Sequence, residues 1–152
     1  MLKINIVAVG KIKEKYIIDG ITEYSKRLRP YINFDIIELS ESKDNDLALE
    51  KDSFSILKYL DKTNAYKILL DIGAKQIDSV ELSELIEKLS MTNSEIIFII
   101  GGSRGVNKEV RNSCNLRISF SKLTFPHQLF RLILTEQIYR SICIQKNIKY
   151  HK

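Results

Sequence analysis

The run Gly101-Gly102-Ser103-Arg104-Gly105 has a composition suited to cradling a ligand. Glycines adopt positive φ and let backbone N–H groups come close to a bound molecule. The spacing is neither GxGxxG nor GxxxxGK[ST], so it is neither a Rossmann dinucleotide fingerprint nor a P-loop. No Asp or Glu stands at the end of the next predicted strand, Ile118-Ser119-Phe120, to hold a ribose. Taken alone, the run fits a tight turn as well as a cofactor cradle. A second segment, Phe120-Ser121-Lys122-Leu123-Thr124-Phe125-Pro126-His127-Gln128, puts two phenylalanines, a proline and a histidine in one loop. Its backbone can hydrogen-bond the Watson–Crick edge of an adenine while the rings cover the base. His127 fits the start of a helix as readily as a catalytic role. Further on, Glu136 and Arg140 stand four apart, the spacing of a helix ion pair worth about 0.2–0.5 kcal/mol. Tyr150-His151-Lys152 closes the chain. Terminal residues are commonly frayed, yet an aromatic flanked by cations is also the chemistry that stacks on and grips an RNA base.

These residues need elements to position them, and the hydrophobic pattern supplies alternating strands and helices. Strands are predicted at 4–9, 34–39, 66–72, 96–100 and 116–120. Helices are predicted at 13–29 (Tyr16, Ile17, Ile21, Tyr24 and Leu28 at helical spacing, stopped by Pro30), 47–60, 79–89, 107–112 and 128–145. On the last helix, Leu129, Leu132, Ile133, Ile138 and Ile142 take apolar faces, and Arg131, Glu136 and Arg140 polar ones. Such alternation implies an α/β fold with a mostly parallel sheet covered by helices on both faces. Ligands of these sheets bind beyond the carboxyl ends of the strands. The loops at 71–75, 101–105 and 121–127 leave strands at that edge, so the site belongs where they converge.

The chain has 152 residues, 44% hydrophobic and 28% charged, without repeat or linker, which points to one domain over residues 1–152. Ile96–Ile100 is too short an apolar run to cross a bilayer, and residues 1–10 read as a strand rather than a signal peptide. Cys114 and Cys143 form no CxxC pair and the histidines are only His127 and His151, so neither a metal site nor a membrane role is expected. A reducing cytoplasm suits the two cysteines. The net charge of +5 is uneven: residues 101–152 carry ten Lys/Arg against Glu109 and Glu136. That asymmetry suits a polyanion partner meeting one face, and equally a basic solvated surface.

Four stretches taken in order resemble the RlmH group of SPOUT methyltransferases across essentially the whole chain. They are Ile99-Ile100-Gly101-Gly102-Ser103 with Gly105, residues 119–128, Glu136-Gln137-Ile138-Tyr139-Arg140, and Tyr150-His151-Lys152. The opening Ile6-Val7-Ala8-Val9-Gly10-Lys11, with Tyr24 and Lys26-Arg27-Leu28, matches the same group. The resemblance implies a SPOUT-type α/β fold with a C-terminal trefoil knot and a homodimer with cofactor sites near its interface. It implies transfer of a methyl group from S-adenosyl-L-methionine to N3 of a pseudouridine in large-subunit (23S) rRNA of the assembled ribosome. By position, Leu70, Gly101, Phe120, Ser121, Lys122, Leu123, Thr124 and Phe125 match cofactor contacts, and Tyr150, His151 and Lys152 the functional tail. Two departures stand out. In Leu70-Asp71-Ile72-Gly73-Ala74-Lys75 the glycine comes one position earlier than the group's pattern, and residues 40–63 are shorter than is common. The N3 proton has two possible fates. His127 or His151 can accept it, or Lys152 or Arg140 can stabilise the anion while water takes it. A catalytically inert RNA-binding module is the rival reading of the same basic region.

Overall fold

A computed structural model describes residues 1–43 and 45–152. The elements alternate as expected: β1 (Lys3–Val9), α1 (Lys15–Leu28), β2 (Asn33–Leu39), α2 (Ala48–Leu60), β3 (Tyr66–Leu70), α3 (Ser79–Ser90), β4 (Glu95–Ile100), α4 (Lys108–Ser113), β5 (Leu116–Ile118) and α5 (His127–Gln145). The strands form one parallel sheet in the order β2-β1-β4-β3-β5.

Strand side chains alternate between faces, and each face meets its own helices. Ile4, Ile6, Ala8, Ile68, Ile96 and Phe98 join Leu28 of α1, Leu82 and Ile86 of α3, and Leu134, Ile138 and Ile142 of α5. On the opposite face Val7, Val9, Leu69, Ile97 and Ile99 join Ile56 and Leu60 of α2 and Val110 of α4. A strand covered on both sides has no polar alternation to keep, which is why β4 reads Glu-Ile-Ile-Phe-Ile-Ile. Local signals fix helix starts. At α3 the Asp78 carboxylate accepts from Glu81 N–H while the Glu81 side chain accepts from Asp78 N–H.

Two strands stop earlier than the sequence pattern implies. β3 ends at Leu70 because Asp71 starts a turn, its Oδ1 accepting from Gly73 N–H at 3.0 Å and its carbonyl from Ala74 N–H at 2.9 Å. β5 ends at Ile118 because Ser119 leaves the ladder to pair with Lys75 and Ile77. The early glycine of the 70–75 loop is accommodated without strain, since among the described glycines only Gly10 and Gly105 have positive φ.

The assignment of Arg131 to a polar face is corrected outright. Its side chain is fully buried. Nη2 donates to the carbonyls of Val9 at 2.9 Å and Gly10 at 2.8 Å, where β1 turns out of the sheet, and Nη1 donates to Glu38 of β2 at 2.8 Å. Glu38 also accepts from Ile12 N–H, and Gln128 of α5 from Lys13 N–H. The start of α5 is thereby tied to the ends of β1 and β2. Arg131→Met keeps much of the bulk but leaves buried carbonyls without donors, which costs about 1–3 kcal/mol. Urea unfolding of this variant should show a lower midpoint at unchanged slope; an unchanged midpoint would mean that the guanidinium does not brace the fold.

Candidate active site

The three loops foreseen from sequence do converge. At the carboxyl ends of β3, β4 and β5 they enclose a cavity of about 320 Å³ lined by Leu70, Gly101, Phe120, Ser121, Leu123, Thr124 and Phe125. That lies within the range of roughly 300–1,000 Å³ usual for small-molecule sites. Lys122 lines a neighbouring depression with Ile72, Gly73, Ala74 and Gln76 instead. The wall also includes His127 and Phe130. Phe130 packs on Phe120 and Phe125 at centroid distances of 5.4 and 6.1 Å. Sequence reasoning missed Phe130, although its place one turn after His127 on α5 puts both at the same mouth.

The walls are held from behind. Asp71 N–H donates to Ile118 O, Ser119 N–H to Lys75 O and Ile77 N–H to Ser119 O, lacing the stretch after β3 to the stretch after β5. In the glycine loop, Gly105 N–H donates to Gly102 O at 2.9 Å, and Gly105 holds φ +81°. A Cβ on Gly101 would come within 2.9 Å of the Gly105 carbonyl carbon. Gly101 is thus needed for the loop to fold tightly, and a side chain there would disturb the wall by displacing Gly105. Among the described residues, the backbone N–H groups of Phe120, Thr124 and Phe125 make no hydrogen bond inside the protein. An irregular segment with free donors against an apolar cavity is suited to a ligand that carries its own polar edge.

His127 opens α5, and its Nε2 is buried with no partner among the described residues. The other candidates gather further along the same helix. Tyr150 Oη donates to Glu136 Oε2 at 2.6 Å and lies 3.3 Å from Tyr24 Oη. Tyr139 meets its ring edge-on at 4.9 Å and the Arg140 guanidinium lies over it at 4.8 Å. Arg140 is paired with Glu136 at 2.6 Å and contacts His151 Nδ1 at 3.1 Å. The tail is therefore docked rather than frayed, though His151 and Lys152 remain exposed. Burial, with the hydrogen bonds to Glu136 and Tyr24, raises the Tyr150 phenol far above its ordinary range. Hydrogen bonding to Glu136 raises Arg140. Cys114 is pushed up to about 11 by burial, so it carries no thiolate at neutral pH.

Cavity and tail do not meet within one chain. Neither Arg140 nor Tyr150, His151 or Lys152 lines the cavity. From Phe130 in its wall to Arg140 is about 15 Å along the helix axis, at 1.5 Å per residue. Among the described residues, no group of three or more His, Cys, Asp or Glu is placed to hold a metal ion, and no helix is long and apolar enough to cross a membrane.

Comparison with known proteins agrees with this geometry. A family model described as "Predicted SPOUT methyltransferase" matches residues 2–151. A Fusobacterium nucleatum protein named ribosomal RNA large subunit methyltransferase H is 52% identical over 99% of this chain and 100% of its own length. A protein of the same name from Clostridium beijerinckii is 47% identical over 99% of this chain and 100% of its own length. Among solved structures, the tRNA (m1G37) methyltransferase of Aquifex aeolicus superposes with a TM-score of 0.53 at 11% identity, covering 91% of this chain and 69% of that one, a likeness of fold. With a parallel sheet, a cavity at its carboxyl edge and full-length relatives of one name, the chain belongs to the SPOUT methyltransferase family.

Proposed function

We propose that this chain is an S-adenosylmethionine-dependent methyltransferase of large-subunit rRNA, acting on N3 of a pseudouridine in the assembled ribosome. The cavity at the carboxyl edge carries the reading: its lining includes seven of the eight residues singled out as cofactor contacts, the exception being Lys122. The chemistry of the lining suits the cofactor. Unpaired backbone groups at Phe120, Thr124 and Phe125 can read the polar edge of an adenine, and Leu70 and the phenylalanines can cover its faces. When bound, S-adenosylmethionine supplies an already activated methyl group. The protein's task is then to bind, to orient and to exclude water. The basic C-terminal third suits a polyanionic substrate.

The separation of cavity and tail supports a homodimer in which each cavity is completed by the partner's tail. Every residue of α5 is at least half-buried, yet Leu129 and Ile133 keep partly open apolar surface. Exposed Tyr16, Ile18 and Val80 lie on the neighbouring helices α1 and α3. A second copy would cover such a surface. The cytoplasm, where ribosomes work, is the compartment this reading implies. The same reading includes the family's C-terminal trefoil knot.

Incubation with isotopically labelled S-adenosylmethionine and ribosomes lacking this modification should place one methyl group on a pseudouridine N3, read by nucleoside mass spectrometry of the large-subunit RNA. Ribosome binding without cofactor binding or methyl transfer would instead identify an inert RNA-binding module. Removal of Tyr150, His151 and Lys152 should leave cofactor affinity intact while slowing methyl transfer by on the order of 10²–10⁴-fold, the usual loss of a positioned catalytic group. Full activity of the truncated protein on ribosomes would take the tail out of the site.

A further inference from the structure

We infer that the tail is a clamp of hydrogen-bond donors that stabilises the anion of the target base, with His151 donating through Nε2, and that no group of the tail takes the N3 proton. This rests on the methyltransferase reading above and assigns the tail its role within it. A guanidinium has donors only. With Arg140 Nη1 3.1 Å from His151 Nδ1, the imidazole nitrogen must be the acceptor, so the proton of the neutral ring sits on Nε2. His151 therefore has no free basic nitrogen while this contact stands.

The rest of the cluster offers no base either. Glu136 is its carboxylate, and both oxygens are filled. Oε2 accepts from Tyr150 Oη at 2.6 Å and from Arg140 Nη2 at 2.6 Å. Oε1 accepts from Arg140 Nε at 3.3 Å and from Gln137 Nε2 at 2.9 Å. The phenol of Tyr150 keeps its proton, engaged with Glu136. What the tail presents outward is the Nε2–H of His151 and the ammonium of Lys152, both exposed.

That set matches the demand of an imide. Loss of the N3 proton leaves a negative charge shared between N3 and its two flanking carbonyl oxygens, and donors aimed at those oxygens favour the anion. The N3–H bond breaks with the proton passing to an acceptor outside the tail, water or the His127 imidazole of the cavity wall, and the electron pair staying on nitrogen. That pair forms the new bond to the methyl carbon as the carbon–sulfur bond breaks, and its electrons neutralise the sulfonium.

Imidazole ¹⁵N spectra of the full-length protein test the assignment directly. The chain holds two histidines, and the signal missing from His151→Gln identifies His151. Above the titration range, Nδ1 should have the shift of an unprotonated nitrogen and Nε2 that of a protonated one. A predominant Nδ1–H form would overturn the inference. In single-turnover methyl transfer, His151→Gln, whose amide N–H replaces the Nε2 donor, should stay within about tenfold of the parent, while His151→Ala falls by about 10²-fold or more. Glutamine as slow as alanine would mean that His151 is a base. If the unaltered protein transfers no methyl group, the proposed function fails, and the ¹⁵N result still decides this assignment.

Discussion

One buried cation fixes α5, the helix that carries part of the cavity wall and the seat of the tail. Arg131 reaches from the second turn of α5 to the carbonyls of Val9 and Gly10 and to Glu38, at the edge of the sheet where the strands end. Burial pulls its guanidinium below the ordinary range, against the opposing effect of Glu38. A charge withdrawn from water is tolerated only when hydrogen-bonded, and although Nε has no partner among the described residues, the acceptors of Nη1 and Nη2 leave α5 little freedom to shift. His127 and Phe130 precede Arg131 and line the cavity, while Glu136 and Arg140 follow it and hold the tail. The helix acts as a beam pinned near one end, with the cavity before the pin and the docked tail beyond it.

Much of this architecture was legible in the sequence because the α/β pattern is locally consistent. Strand β4 is an apolar run after Glu95, β1 turns fully apolar from Ile6, and Pro30 stops α1. The cavity was legible as a convergence of loops because parallel sheets put their connections at one edge. Arg131 was not. On a helix packed against both α1 and α3 as well as the sheet, apolar side chains point several ways and no single stripe remains to mark the buried side. The tail was legible only as a composition. Its partners Tyr24 and Glu136 lie 126 and 14 residues away from Tyr150, and no local pattern announces such contacts. Lys122 illustrates a finer limit: within a loop, consecutive side chains diverge, and sequence alone does not say which one turns aside.

The structure also separates two uses of glycine that look alike in the sequence. Gly105 has a backbone conformation that side-chain-bearing residues rarely adopt, whereas Gly101 is required because Gly105 folds back onto it. The earlier glycine at position 73 does neither, since the Asp71 carboxylate shapes that turn. The loop beside Leu70 thus forms its turn without a positive-φ glycine at position 73 and contributes Leu70, Asp71 and Ile72 to the cavity wall.

The composite site proposed above pairs the cavity of one subunit with the tail of the other, since α5 holds the two apart within each chain. Mixing decides it. A subunit with its cavity wall disabled by Gly105→Val and a subunit lacking residues 150–152 should each be inactive alone. If subunits exchange at random, half the dimers are mixed and each contains one intact composite site, so activity should recover to about a quarter of the unaltered enzyme. No recovery, with subunit exchange verified by mass, would show that each chain uses its own tail and would contradict the account.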